Sequence, residues 1–176
     1  EVWEQMRFIV DYCDEEVGWM ALVETIDETT FKVYKIMVPE QVVHATETDI
    51  DGQAMTDLGL ELLREGHDTS HMIAWYHSHV NMGVTPSSQD EYQVEEFLET
   101  CPVFIRGIMN KKGQSKVDVY YRDHGIAFNC VETRIWYEFE EDPLLGLQEL
   151  IDKRVIEDDW MGYRGNYNIY TNNYTR

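Results

Sequence analysis

A mixed α/β (α+β) fold is predicted, with a mainly antiparallel β-sheet flanked by helices. Three observations carry this. Apolar residues alternate at period two near the N-terminus, Val17 to Val23 and Met72 to Tyr76 are apolar runs of strand length, and later segments carry apolar residues at helical spacing. At 176 residues the chain has the size of one ordinary domain, long enough to bury roughly 70% of its unfolded surface. Its composition, 43% hydrophobic and 27% charged, excludes a disordered or fibrous chain. No internal repeat is visible.

Taken in order, Met6, Phe8 and Val10 within Trp3 to Tyr12 predict a half-buried first strand, interrupted by Asp14-Glu15-Glu16. Val17 to Val23 predicts a second strand and Phe31 to Val38 a third, with Asp27-Glu28-Thr29-Thr30 as the turn, so the opening reads as an antiparallel meander ending at Pro39. Met55, Leu58, Leu62 and Leu63 predict a helix over Asp51 to Arg64 with Gly66 as its C′ residue. Met72 to Tyr76 predicts a central strand that delivers His77-Ser78-His79 to its C-terminal edge, and Ser87 opens a helix reaching about Glu99. Strands over Val103 to Met109 and Val117 to Tyr121 flank a hairpin turn at Asn110-Lys111-Lys112-Gly113, and Asp123-His124-Gly125 turns the chain into a strand from Ile126 to Phe139. Pro143 in a first helical turn, followed by Leu144, Leu147, Leu150, Ile151 and Val155, marks a final amphipathic helix. Residues 1–156 thus form the domain and 157–176 a tail. There Trp160, Tyr163, Tyr167, Tyr170 and Tyr174 make a heptad-like stripe that Gly162, Gly165 and four Asn residues oppose as a helix. The stripe either packs on the parent domain or anchors a partner or oligomer contact.

Asp and Glu number 34 against 14 Lys and Arg, a net charge of −20, which argues against nucleic acid and against an anionic membrane surface as partners. No run approaches the ~20 apolar residues of a membrane span, and no signal peptide leads the chain, so a soluble, cytoplasmic protein is expected. Cys13, Cys101 and Cys130 contain no C-x-x-C pair and predict reduced, partly buried thiols.

The chemistry concentrates in His77 to Asp90. Histidines at i and i+2 share one face of a strand, so His77 and His79 can converge on one ion at a strand end. Met82-Gly83 makes an end plausible, and Asp90 in the first turn of the next helix supplies a carboxylate that can fold back. Two imidazoles and one carboxylate with an open fourth position is a catalytic zinc arrangement, whereas structural zinc takes four protein ligands rich in Cys. Ser87 and Asp90 also have capping-box spacing, which needs no metal.

With Glu16 upstream, H-x-H, seven residues, S, two residues, D resembles the JAMM motif of the JAB/MPN metalloprotease family, matched by His77, His79, Ser87 and Asp90. Glu16-Val17-Gly18-Trp19-Met20, Val38-Pro39-Glu40-Gln41-Val42 and Trp75 to Gly83 look like the JAB-domain proteins common in tailed phages and bacteria. The resemblance covers about residues 5 to 155. It implies a cytidine-deaminase-like JAB/MPN fold with a single zinc ion that hydrolyses amide or isopeptide bonds of a protein or peptide substrate, often at the C-terminal tail of a ubiquitin-like protein. It also implies a location in the host cytoplasm, or on the virion if the chain is phage-encoded. His77, His79 and Asp90 would hold zinc with water as fourth ligand, Glu16 would be the general base, and Ser87 would donate to the developing oxyanion. Glu15, beside Glu16, is the alternative base. Val80 stands where many members have Pro, which alters the local loop without removing a ligand.

Other candidates read more simply. His67-Asp68 lies in a polar loop, His124 in a turn, His44 and His71 have no companion pattern, and Cys13 near Glu16 reads as a buried, inert thiol. Nucleotide-binding and serine-hydrolase motifs are missing. The rival reading is a JAB-fold structural or assembly subunit, for instance in a phage particle, whose site binds metal without catalysis. Substrate contacts are expected at Thr46 to Asp51 and at Asn110 to Gln114.

Overall fold

A computed structural model describes residues 1–44, 47–49, 52–135, 144 and 146–157. In chain order the elements are α1 (Val2–Tyr12), β1 (Gly18–Asp27), β2 (Thr30–Met37), β3 (Gln41–His44), β4 (Glu47–Asp49), α2 (Gly52–Arg64) and β5 (Met72–Ser78). They continue with α3 (Ser88–Thr100), β6 (Val103–Met109), β7 (Ser115–Tyr121), β8 (Ile126–Phe128), α4 (Leu147–Arg154) and β9 (Val155–Glu157). Six strands form one sheet in the order β2-β1-β5-β6-β7-β8, antiparallel throughout except where β5 runs parallel to β6. The expected α+β architecture with a mixed, mainly antiparallel sheet is therefore what the chain adopts.

Helices cover both faces. Met6, Ile9 and Val10 of α1 and Leu147 and Ile151 of α4 share a core with Trp19, Ala21, Val23, Ala74, Tyr76 and Ile105. Leu58 and Leu62 of α2 and Val94 of α3 share a second core with Met20, Leu22, Trp75 and Phe104 on the opposite face. Burial on both faces explains why Val17 to Val23 is a continuous apolar run instead of an alternating one, since every residue of it is buried. At Gly107, paired with Tyr76 across β5 and β6, an added Cβ would lie 1.9 Å from the Tyr76 ring. The ring occupies the space a side chain would need.

Three expectations are corrected. Trp3 to Tyr12 is the helix α1, because Met6, Ile9 and Val10, at i, i+3 and i+4, make an apolar stripe as well as Met6, Phe8 and Val10 make an alternation. The opening meander is accordingly the single hairpin β1-β2. The strand from Ile126 stops at Phe128, and 129–135 carry no regular structure; the rest of that expected strand, 136–139, lies outside the described residues. The last helix begins at Leu147, not Pro143, because Gly146 at φ +76° starts it and Leu144 sits in the turn before; Val155, expected in the helix, opens β9. Pro143 and the aromatic stripe Trp160 to Tyr174 lie outside the described residues. Gly66 and Gly113 do adopt the positive φ their turns require, at +83° and +78°.

A second, three-stranded sheet, β4-β3-β9, was not expected; β3 pairs antiparallel with β4 and parallel with β9, Gln41 facing Val155. It occupies part of the loop where substrate contacts were expected. Buried Gln41 joins this sheet to the larger one: its Oε1 accepts from Gly18 N at 2.8 Å and its Nε2 donates to Gly18 O at 2.8 Å. Among the described residues no helix is long and apolar enough to cross a membrane.

Candidate metal centre

β5 is flanked by β1 and β6, so its C-terminal end lies inside the sheet, where both neighbours shield it. His77 is its last residue but one, and His79 lies just beyond the strand. Residues i and i+2 of a strand share a face, so the pleat puts the two rings on one side. Just beyond them the strand ends at Ser78 and the chain turns: Val80 takes φ +40°, and Met82 N donates to His79 O at 2.7 Å. A positive φ is costly for a β-branched residue, on the order of 1–3 kcal/mol, and Pro cannot adopt it at all. Val80 therefore gives this loop a course that a proline at the same position would forbid.

Ser78 points the other way. Its Oγ accepts from Val17 N at 3.0 Å while its own N–H donates to Val17 O at 2.9 Å, and Gly18 pairs with His77 across the β1-β5 ladder. The residue between the histidines thus clamps the backbone next to Glu16. This role has a faint signal in the sequence, a small hydroxyl residue at the middle of H-x-H, and it was not read.

Ser87 caps α3 in a capping box. Its Oγ accepts from Asp90 N at 3.2 Å, and Asp90 Oδ2 accepts from Ser87 N at 2.5 Å. The capping reading of S-x-x-D is thus realised, and it aims the Asp90 carboxylate back over the strand end. His77 Nε2 lies 3.0 Å from His79 Nε2 and 3.1 Å from Asp90 Oδ1, and His79 Nε2 lies 3.5 Å from Asp90 Oδ2. All three residues are buried, and among the described residues they form a group able to hold a metal ion.

The donor chemistry fits an ion. His79 Nδ1 faces the Gly83 carbonyl at 2.7 Å, an oxygen that can only accept, so Nδ1 carries the proton, and in the neutral form of the ring the lone pair of Nε2 turns inward. That lone pair meets a carboxylate and a second imidazole. Three electron-rich atoms pointed at one another in a buried space require a proton or a cation between them. A tetrahedral ion with ligands at about 2.0–2.2 Å sets ligand atoms about 3.3–3.6 Å apart; the two Nε2 atoms stand 3.0 Å apart, and one ligand atom from each of the three residues lies within 4.8 Å of the others.

The titration behaviour follows the same geometry. Burial holds His77 below its usual range, the state a metal ligand needs. Burial also pulls His79 down, but its bonds to Asp90 and Gly83 and the Glu16 charge outweigh this and raise it. Asp90 is pushed up by burial and held well below the carboxylate range by His77, His79 and Ser87 N. Glu16, 5% exposed, is pushed up to about 7, by burial first, with the positive pull of His79 opposed by the charges of Asp90 and Glu15. Of the two adjacent glutamates, Glu16 is the buried one that senses His79 and Asp90.

Other neighbours complete the pocket. The Trp75 indole stacks on His77 with centroids 4.4 Å apart. Arg106, 1% exposed, pairs with Asp118 at 2.6 Å and with Glu91 at 3.0 Å, and its charge also lowers His77. Trp75 entered the sequence reading only as part of the segment Trp75 to Gly83, and Arg106 carried no signal for the site, since a lone arginine has many uses. The remaining candidates stand apart from the triad. Lys35 Nζ lies 3.0 Å from His67, and Tyr34 hydroxyl bonds His71 Nδ1 at 3.0 Å. His124 ends a short 3₁₀ turn before Gly125, and the His44 side chain is outside what is described. None of the three cysteines is in a disulfide; Cys13 is buried, and Cys130, contrary to expectation, is exposed. No family model matches this chain, and no curated protein does.

Proposed function

We propose that this chain is a metal-dependent hydrolase of amide or isopeptide bonds, with zinc as its metal. The observation that carries the reading is the buried convergence of His77 Nε2, His79 Nε2 and an Asp90 oxygen, with the buried carboxyl of Glu16 beside them. Three N and O ligands suit zinc and leave one position of a tetrahedral ion for solvent or substrate. The resemblance to the JAB/MPN family supplies the substrate class, a protein or peptide, with the C-terminal tail of a ubiquitin-like protein as the specific case.

When bound, zinc supplies Lewis acidity, polarising the carbonyl and bringing the pKa of water to about 7. The chain's own residues do the rest. Glu16, with a pKa near neutrality, is poised to accept a proton from the attacking water and to return it to the leaving amine. Ser87 Oγ accepts from Asp90 N and still has its own O–H to donate toward a developing oxyanion. The stack of Trp75 on His77 and the sheet on either side of β5 exclude bulk water from the back of the site.

The test combines metal analysis with cleavage. Purified chain supplied with zinc is expected to hold one ion and to cleave a ubiquitin-like fusion or peptide substrate. Glu16→Gln should keep the ion and lose about 10²–10⁴ of turnover, the usual share of general acid–base catalysis. A zinc-loaded wild type silent across a broad substrate panel would overturn the hydrolase and leave a metal-binding assembly subunit. Loss of cleavage in Glu15→Gln but not in Glu16→Gln would move the base by one residue.

A further inference from the structure

We infer that Asn110 is a positioning residue for the metal centre: its carboxamide, acting through the Met82-Gly83 turn, fixes which nitrogen of His79 carries the proton. The inference deepens the reading above, and its central measurement is made on metal-free protein.

Asn110 is fully buried at the start of the β6-β7 hairpin turn. Its Oδ1 accepts from Lys112 N at 3.1 Å and from Gln114 N at 3.0 Å, and its Nδ2 donates to Met82 O at 2.7 Å and Gln114 Oε1 at 2.8 Å. All four hydrogen-bonding capacities of the amide are used. Its orientation is therefore forced. Two backbone N–H groups face the oxygen, so the NH₂ must face Met82.

That bond reaches across from the hairpin to the loop that carries His79. Two backbone bonds tether the near end of the same loop: His79 N donates to Met109 O at 2.8 Å, and Lys111 N donates to Val80 O at 2.7 Å. The far end, Met82-Gly83, is exposed. There the Asn110 side chain grips the carbonyl immediately before Gly83, whose own carbonyl takes the His79 Nδ1 proton at 2.7 Å. Without the grip, the positive φ of Val80 and the freedom of Gly83 let the turn relax, and Gly83 O leaves Nδ1. His79 then populates the tautomer with the proton on Nε2, the atom that faces His77 and Asp90, and a metal ligand is lost for that fraction of molecules.

Asn110→Asp is the sharp variant, because it keeps Oδ1 for the hairpin and replaces only the group that donates to Met82 O. The wild type without metal, at a pH where the ring is neutral, is expected to show the Nδ1–H tautomer of His79 in long-range ¹H–¹⁵N spectra. In Asn110→Asp that signature should shift toward Nε2–H, and zinc affinity, measured by chelator competition, should fall about 10–100-fold. Gln114→Ala, which removes the other acceptor of the same NH₂, should change neither. An unshifted tautomer in folded Asn110→Asp overturns the inference, and so does the Nε2–H tautomer in wild type, which decides the matter even if the variant does not fold. Should wild type bind no zinc while the tautomer shift occurs, the metal reading falls and the role of Asn110 stands.

Discussion

Ser87 shows how one side chain can carry two energies that differ in kind. As the cap it is, its loss costs about 0.5–2 kcal/mol of stability; in the proposed role of oxyanion donor, its loss would cost about 10²–10³ in kcat. Ser87→Ala is expected to show both, a modest fall in melting temperature and a drop in turnover far beyond what partial unfolding explains. A melting shift alone would reduce Ser87 to its cap. At this scale the site was largely legible, because His77, His79, Asp90, Ser87 and Glu16 are side chains whose identities state their chemistry, and the structure gathers His77, His79 and Asp90 as expected. Besides the roles of Ser78 and Arg106, what stayed hidden were groups without side-chain identity. The Gly83 carbonyl that orients His79 belongs to the backbone, and the positive φ of Val80 is contrary to what a valine advertises.

Among the elements, legibility tracked sequence distance. The hairpins β1-β2 and β6-β7 close over a few residues whose turn chemistry is local, and both were read. β3 is four residues long and finds its parallel partner β9 more than a hundred positions away, so no local pattern announces either. Helix α1 was misread because Met6 and Val10 satisfy both periods, and the deciding residue is Ile9, fully buried on the helical stripe. The β5-β6 pair, which carries His77, depends on Gly107 lying under the Tyr76 ring. Because that ring is itself stacked on buried Trp19, it has little room to yield. Gly107→Ala is expected to cost about 3 kcal/mol or more, a melting decrease of about 6–12 °C in calorimetry. An unchanged melting temperature would show that the ring moves aside freely.

For the molecule as a whole, the net charge of −20 dominates the long-range field. Like charges oppose compaction, and salt screens them: the Debye length falls from about 30 Å at 0.01 M to about 8 Å at 0.15 M. The metal-free chain is therefore expected to melt higher as sodium chloride rises over that range, whereas exposed pairs such as Lys111–Asp14 contribute too little to reverse the trend. A melting temperature that falls with salt would mean that attractive pairs outweigh the net repulsion.

Gln41 gives the molecule a sense of time. Its amide grips both backbone groups of Gly18, two residues past Glu16, yet its own strand is paired with Val155 to Glu157, and Arg154 beside them donates to Val38 O at 2.9 Å. During synthesis the strand that steadies the neighbourhood of Glu16 emerges some 140 residues after it. A nascent chain thus carries every reactive group before it carries the frame that aligns them. The frame around Gly18 stays incomplete until translation has passed Val155, where β9 begins.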